Sequence, residues 1–307
     1  MPLSGKFRLM LLLQITSLLV FQLQGGDTGL ASRIQQLLHV VLTTDDEKQE
    51  AAAEAEAKEI FRKRGLPVLA DVGDEAAYEF VLLSCSTGPA EFQREVLQKA
   101  REGARRHEIP ADAASYCAAR MRLDRVKAKA KKQAPHDSEL REQIEQIFKA
   151  DQAVRAKDGF DMDRMSQTDG EHRAALEAIF VKYGVPTYRM VGTQAAADFI
   201  TMVQHQSPEF RRRVLPKLKA NVDAGQADPG SYAMVFDRLQ TDEGKKQVYG
   251  ENLTCDLEHP KLHIGLIEDE DNVDKRRAAI GLMRLALYAQ LVVGMTPNVC
   301  PAGPEEK

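Results

Sequence analysis

The chain carries two versions of one pattern, and any fold it adopts must accommodate both. Ile60-Phe61-x-Lys63-x-Gly65-x-Pro67 returns 119 residues later as Ile179-Phe180-x-Lys182-x-Gly184-x-Pro186. Gly73, Ala76, Ala77 and Phe80 return at the same spacing as Gly192, Ala195, Ala196 and Phe199. Glu91-Phe92-x-Arg94-x-Val96-Leu97-x-Lys99 returns 118 residues later as Glu209-Phe210-x-Arg212-x-Val214-Leu215-x-Lys217. Tyr116 and Arg122-Leu123 return after 116 residues as Tyr232 and Arg238-Leu239. A self-similarity of this kind implies two related structural units. A chain of 307 residues is long enough to give each its own core.

The apolar spacing is helical throughout. Ile34, Leu37, Leu38, Val41 and Leu42 recur at intervals of three and four, as do Leu140, Ile144, Ile147 and Phe148. Ala51 to Lys63 is rich in Ala, Glu and Lys, which lose little rotamer freedom in a helix. Gly65 and Gly184 stand where helices stop, each with Pro two residues later. Ser207-Pro208-Glu209 and Asp228-Pro229 place a capping side chain ahead of a proline at the first helical position. No window alternates apolar and polar residues with β-branched enrichment, so few or no strands are expected.

The expected fold class is therefore all-α: two tandem related helical domains of about five helices each, plus a C-terminal helix over Asn272 to Val293. The expected segments are a signal peptide at 1–31, a degenerate repeat at 32–125, a basic linker at 126–137, a C-terminal helical domain at 138–295 and a flexible tail at 296–307.

The N-terminal segment has the features of an export signal. Lys6 and Arg8 precede an apolar run from Leu9 to Phe21, and Gly29-Leu30-Ala31 offers small residues for cleavage before Ser32. The apolar run is shorter than the roughly 20 residues a spanning helix needs. No other run in the remaining chain is long enough, so no transmembrane segment is expected in the mature protein. Four cysteines in an exported chain favour disulfides. Of the three pairings, Cys85–Cys117 with Cys255–Cys300 keeps each bond within one domain. A net charge of −4 and 6% aromatic residues without Trp argue against nucleic acid as a partner.

Differences between the two copies separate what the fold needs from what it does not. The second copy carries 13 extra residues around Val154 to Arg164. His205 stands where the first copy has Ser86, Asp237 faces Met121, and Arg155 faces Gln49. Asp151 is matched by Asp45, and Arg238 by Arg122. Gly244-x-x-Gln247-x-Tyr249-Gly250 has no counterpart.

Several fragments of the second half occur in a fixed order: Asp151-Gln152-x-Val154-Arg155, Gly184-x-Pro186, Gln204-His205, Asp237-Arg238, Gly244-x-x-Gln247-x-Tyr249-Gly250 and Asn272-Val273-Asp274-x-Arg276-Arg277 followed by Gly281-Leu282. Across about 138–285 the chain resembles a widespread bacterial family of uncharacterised domains. The resemblance implies a helical domain and a bacterial source, and no activity. Glu251-Asn252 departs from the Thr-Gln that the family usually carries at that point.

The candidate catalytic residues are His205, Asp237 and Asp151. His205 has an intrinsic pKa near working pH, and carboxylates can serve as its acid–base partners. Arg155, Arg238, Gln247 and Tyr249 are candidate ligand-binding residues. Asp151 and Arg155 are four apart on one helical face, the spacing of an ion pair. Cys255-x-x-x-His259-x-x-x-His263 is interrupted by Pro260 and lacks a fourth ligand, so no metal site is expected. No cofactor motif, phosphate loop or nucleophile elbow occurs. Function stays unknown at this level. The favoured expectation is an exported binding or scaffolding protein of the bacterial cell envelope, with an envelope protein or small molecule as partner. The alternative is an extracytoplasmic hydrolase-like enzyme with an Asp/His/Arg site in the C-terminal domain.

Overall fold

The computed structural model describes residues 27–155, 162–255 and 262–295. Most of the expected signal segment, the tail at 296–307, Cys300, His259 and part of the 13-residue insertion lie outside them. The regular structure of the described residues is helical apart from one short two-stranded ladder and a bridge between Gln247 and Ile267, in agreement with the all-α expectation. The chain divides into two compact units at Met121/Arg122.

The first unit holds α1 (Thr28–Thr43), α2 (Glu47–Arg64), α3 (Leu69–Thr87), α4 (Ala90–Arg105) and the start of α5 (Ala111–Lys131). Apolar residues at helical spacing form its core, among them Ile34, Leu38, Phe80, Val96 and Ala113. The Cys85–Cys117 disulfide joins α3 to α5.

The second unit continues α5 and adds α6 (Ser138–Arg155), α7 (Met162–Tyr183), α8 (Tyr188–Gln204), α9 (Pro208–Asp223) and α10 (Pro229–Asp242). Strands β1 (Leu253–Thr254) and β2 (His263–Ile264) then pair antiparallel, and α11 (Val273–Ala279) and α12 (Leu285–Met295) close the unit. α6 packs against α7 and α8, and α8 against α9 and α10. Ile144, Leu176, Phe199, Val203, Phe210 and Val235 lie at the centre of this core. Ser207 caps α9 and Asp228 caps α10, as their sequences suggest. The first half of the basic linker is the end of α5: Val126 and Ala130 pack on the core, and Lys127 pairs with Asp228 at 2.5 Å. Cys255 is disulfide-bonded.

The expected single C-terminal helix is two. Gly281, at φ 77°, ends α11. The amides of Gly281 and Leu282 return to the carbonyls of Ala278 and Arg277, and Leu285 donates its amide to Asp274 instead of continuing a helical ladder.

The two units share several local devices. Gly73 (φ 81°, ψ 174°) interrupts α3, and Gly192 (φ 84°, ψ 170°) interrupts α8. That conformation is open to glycine and strained for any residue with a Cβ. Two residues before each kink, a freed carbonyl accepts an amide from a helix-capping aspartate: Asp27 N to Asp71 O at 2.8 Å, and Asp137 N to Met190 O at 3.0 Å. Asp27 caps α1 through Leu30, and Asp137 caps α6 through Leu140. Phe61 meets Phe92 edge-on at 5.4 Å, and Phe180 meets Phe210 edge-on at 5.7 Å. Asp27 also pairs with Arg64. The expected segment boundary at 31/32 falls inside α1.

Candidate functional site

The second unit gathers Asp151, Arg155, Asp169 and His205 at one place. α6 outlasts its first-unit counterpart: α1 ends at Thr43, which matches Lys149 in the repeat, whereas α6 runs on to Arg155. Asp45 therefore lies exposed in a connection, while Asp151 lies in a helix and is 1% exposed. The extra turns put Asp151 and Arg155 on one face. Asp169 comes from α7, and His205 is the C-cap residue of α8.

The contacts are close. His205 Nδ1 lies 3.4 Å from Asp151 Oδ1. Arg155 Nη1 lies 3.3 Å from the same oxygen, and Arg155 Nη2 donates to Asp169 Oδ1 at 2.6 Å. Gln152 Nε2 donates to the other Asp151 oxygen at 2.8 Å. Gln204 Nε2 lies 3.3 Å from His205 Nε2. With the amide donating there, the imidazole proton sits on Nδ1 and faces the Asp151 carboxylate. Burial pushes the Asp151 carboxyl up. The hydrogen bond and charge of His205, with the Arg155 guanidinium, outweigh that and hold it below the usual carboxylate range. The side chains of Arg155, Asp169 and His205 keep 19%, 21% and 20% of their surface open, so the buried carboxylate is approached through a polar rim.

A second arginine holds His205 in place. Arg211, 4% exposed, donates Nη1 to the carbonyls of Gln204 and Gln206 and pairs through Nη2 with Asp242 at the end of α10. In the first unit Gln93 matches Arg211 in the repeat and donates to the Cys85 carbonyl, the counterpart of Gln204. Ser86, in the place of His205, instead shares a hydrogen bond with Tyr116 at 3.0 Å.

Asp237, expected as an acid–base candidate, is fully buried and accepts the backbone amides of Val248, Tyr249 and Glu251 at 2.8–3.2 Å. Burial raises its carboxyl, against the opposing pull of those amides. Its oxygens organise a turn and do not join the His205 cluster. Gln247 braces the same turn, exchanging two hydrogen bonds with the Asn252 backbone at 2.7 and 2.8 Å. Tyr249 offers its carbonyl to Arg277, which is fully buried, pairs with Glu251 and holds the Met283 carbonyl. Gly250, at φ 73°, leaves no room for a Cβ against Leu285. Arg238 lies exposed and bonds Asn252. The turn at Val248–Gly250 thus packs against α11 and α12.

No metal site is expected from the sequence. Yet one donor atom from each of Asp151, Asp169 and His205 falls within a 4.8 Å span. Asp169 and Arg211 have no motif around them in the sequence, because helical position gives them their roles; Arg277 stands there only as part of the Asn272–Arg277 fragment. In the first unit a depression of about 370 Å³ runs along α4 beside Arg94, Arg101 and Arg105; a single solvated helix lines it.

The family model for DUF6624, a family of unknown function, matches residues 136–295, just over half of the chain. The chain belongs to the DUF6624 family. All four residues of the cluster and the Asp237–Arg277 turn lie within the DUF6624 match. No curated protein and no solved structure matches the chain. Among the described residues, no helix is long and apolar enough to cross a membrane.

Proposed function

We propose that this DUF6624 protein is an exported binding protein of the bacterial cell envelope, and that its ligand meets the Asp151–Arg155–Asp169–His205 cluster. One observation carries the reading: Arg155, Asp169 and His205 gather with the Asp151 carboxylate, which is 1% exposed, beneath a rim that is partly open to solvent. A purely structural pair would not need the second unit's added helical turns. The shared kinks, caps and aromatic pairs support an origin by duplication, with the first unit kept as support after losing the cluster. The disulfide supports export.

The test is a thermal-shift panel on wild type and His205→Ser, the residue the first unit carries. It would include cell-wall fragments, sugar phosphates, carboxylates and metal salts. At least one compound should stabilise wild type and not the variant. A panel whose every stabiliser acts equally on both would overturn the site.

One observation favours the alternative, a hydrolase-like enzyme. A carboxylate facing Nδ1 of an imidazole is the arrangement that orients a histidine base. Turnover of activated esters by wild type and not by His205→Ser would support it. Asp237, with its oxygens engaged by backbone amides, has no part in that reading.

A further inference from the structure

We propose that the ligand of this cluster includes a divalent cation of the zinc or manganese class, held by Asp151, Asp169 and His205 in exchange with the Arg155 guanidinium. The proposal rests on the reading that the cluster binds a ligand, and names its chemistry.

The donor set is one imidazole and two carboxylates, drawn from α6, α7 and the end of α8, with the donor atoms inside 4.8 Å. Mixed nitrogen and oxygen donors suit borderline cations, whereas calcium and magnesium favour oxygen alone. Three protein ligands leave coordination positions for water or an organic ligand, as open zinc sites do. Burial fixes Asp151, and Gln152 holds its second oxygen.

Arg155 stands where a cation's charge is needed, but it fits only half of the site. Nη2 makes a direct bond to Asp169, whereas Nη1 is buried without a hydrogen bond although Asp151 is 3.3 Å away. One guanidinium against two carboxylates also leaves a residual negative charge when His205 is neutral. A divalent ion would remove it, and the partly open Arg155 side chain can turn outward to make way.

A second observation points the same way. Gln206 is 4% exposed and turned onto Asp169, donating Nε2 to its backbone carbonyl at 3.3 Å. Its Oε1 is buried with no partner. That orphaned acceptor beside a ligand residue is what a metal-bound water would satisfy. The Gln204 amide, 3.3 Å from His205 Nε2, provides the outer support. Turned over, its oxygen accepts the Nε2 proton that an imidazole bound to metal through Nδ1 carries.

The experiment is isothermal titration of zinc chloride and manganese chloride into the untagged full chain after chelator treatment. Wild type should bind one equivalent of at least one ion. Asp169→Asn and His205→Ser should each weaken binding at least tenfold. Arg155→Gln should tighten it severalfold, because a competing cation is gone; a merely structural arginine would not give that result. Thermal unfolding confirms that each variant is folded, and if Asp169→Asn is not, His205→Ser carries the comparison. No binding to wild type and Arg155→Gln, or binding indifferent to both ligand substitutions, would overturn the proposal. If the ions fail to bind while another compound stabilises wild type in a His205-dependent way, the binding site stands and only its cation falls.

Discussion

His205 Nδ1 lies 3.4 Å from Asp151 Oδ1, and Arg211 holds the helix end that carries His205. The histidine's position is thus set through the backbone carbonyls on either side of it, those of Gln204 and Gln206. Replacing Arg211 by Gln, the first unit's solution, should keep one carbonyl satisfied and leave Asp242 without its buried cation. We expect a loss of about 2–4 kcal/mol, less than the 3–5 typical of breaking a fully buried pair, since Asp242 is partly open. Urea unfolding measures it; an unchanged midpoint would mean Arg211 holds nothing.

Asp237→Ala should be among the most damaging single changes in the second unit. It strips the acceptor from three amides of the 248–251 turn, each costing about 1–3 kcal/mol if left unsatisfied. Water entry would soften that total to about 3–5 kcal/mol. Asp237→Asn should cost less, because one oxygen remains. A fully stable Asp237→Ala would return Asp237 to the list of functional candidates.

The helices and the caps Ser207 and Asp228 were legible in the sequence because they rest on local rules: apolar spacing, a capping side chain, a stop glycine. The first unit's disulfide was legible because it closes within one unit. Thr193, which reads as a cap, lies inside α8, whose cap is Thr187. Arg155 and His205 stand out in the sequence as differences between two versions of one pattern, whereas Asp151 is shared with Asp45 and stands out only by its i,i+4 spacing from Arg155. Asp169 does not stand out, since nothing in Gln167 to Glu171 distinguishes a helix face turned to α6 from one turned to water. The backbone partners of Asp237 are hidden in the sequence for a related reason. The absence of Asp237 from the first copy reflects the absence of the turn it holds, and the sequence does not separate a residue lost with its function from one lost with its structural partner. The break at Gly281 was hidden by helical residues on both sides, which local propensity joins into one element.

Asp198 gives a pH test free of the site itself. It is 5% exposed, and burial pushes its carboxyl up to about 6, opposed by the Gln194 amide and reinforced by Glu145 from α6. The folded state then holds its proton to higher pH than the unfolded state, whose value is 3.8. Its contribution is fully present below the unfolded value and is lost as pH rises through about 6. At 1.36 kcal/mol per pKa unit this amounts to about 3 kcal/mol. Between pH 3 and pH 7.5, stability should fall relative to Asp198→Asn by roughly that amount. Parallel pH profiles would contradict it.

If the chain is exported as proposed, the start of α1 constrains where its leader is cut. Asp27 caps that helix, donates to Asp71 and pairs with Arg64, so the folded first unit uses residues ahead of Ser32. N-terminal sequencing of the exported chain should read a start at or before Asp27. A start at Ser32 would show that the first turn of α1 is dispensable, and a chain made from Ser32 should then melt no lower than one made from Asp27.

The most direct measurement of the central claim is the unfolding free energy of His205→Ser. If the cluster exists to meet a ligand, removing the imidazole relieves an arrangement the fold does not require, and stability should stay within about 1 kcal/mol of wild type or rise. A loss of 3 kcal/mol or more would mark His205 as a structural partner of Asp151 and contradict the account.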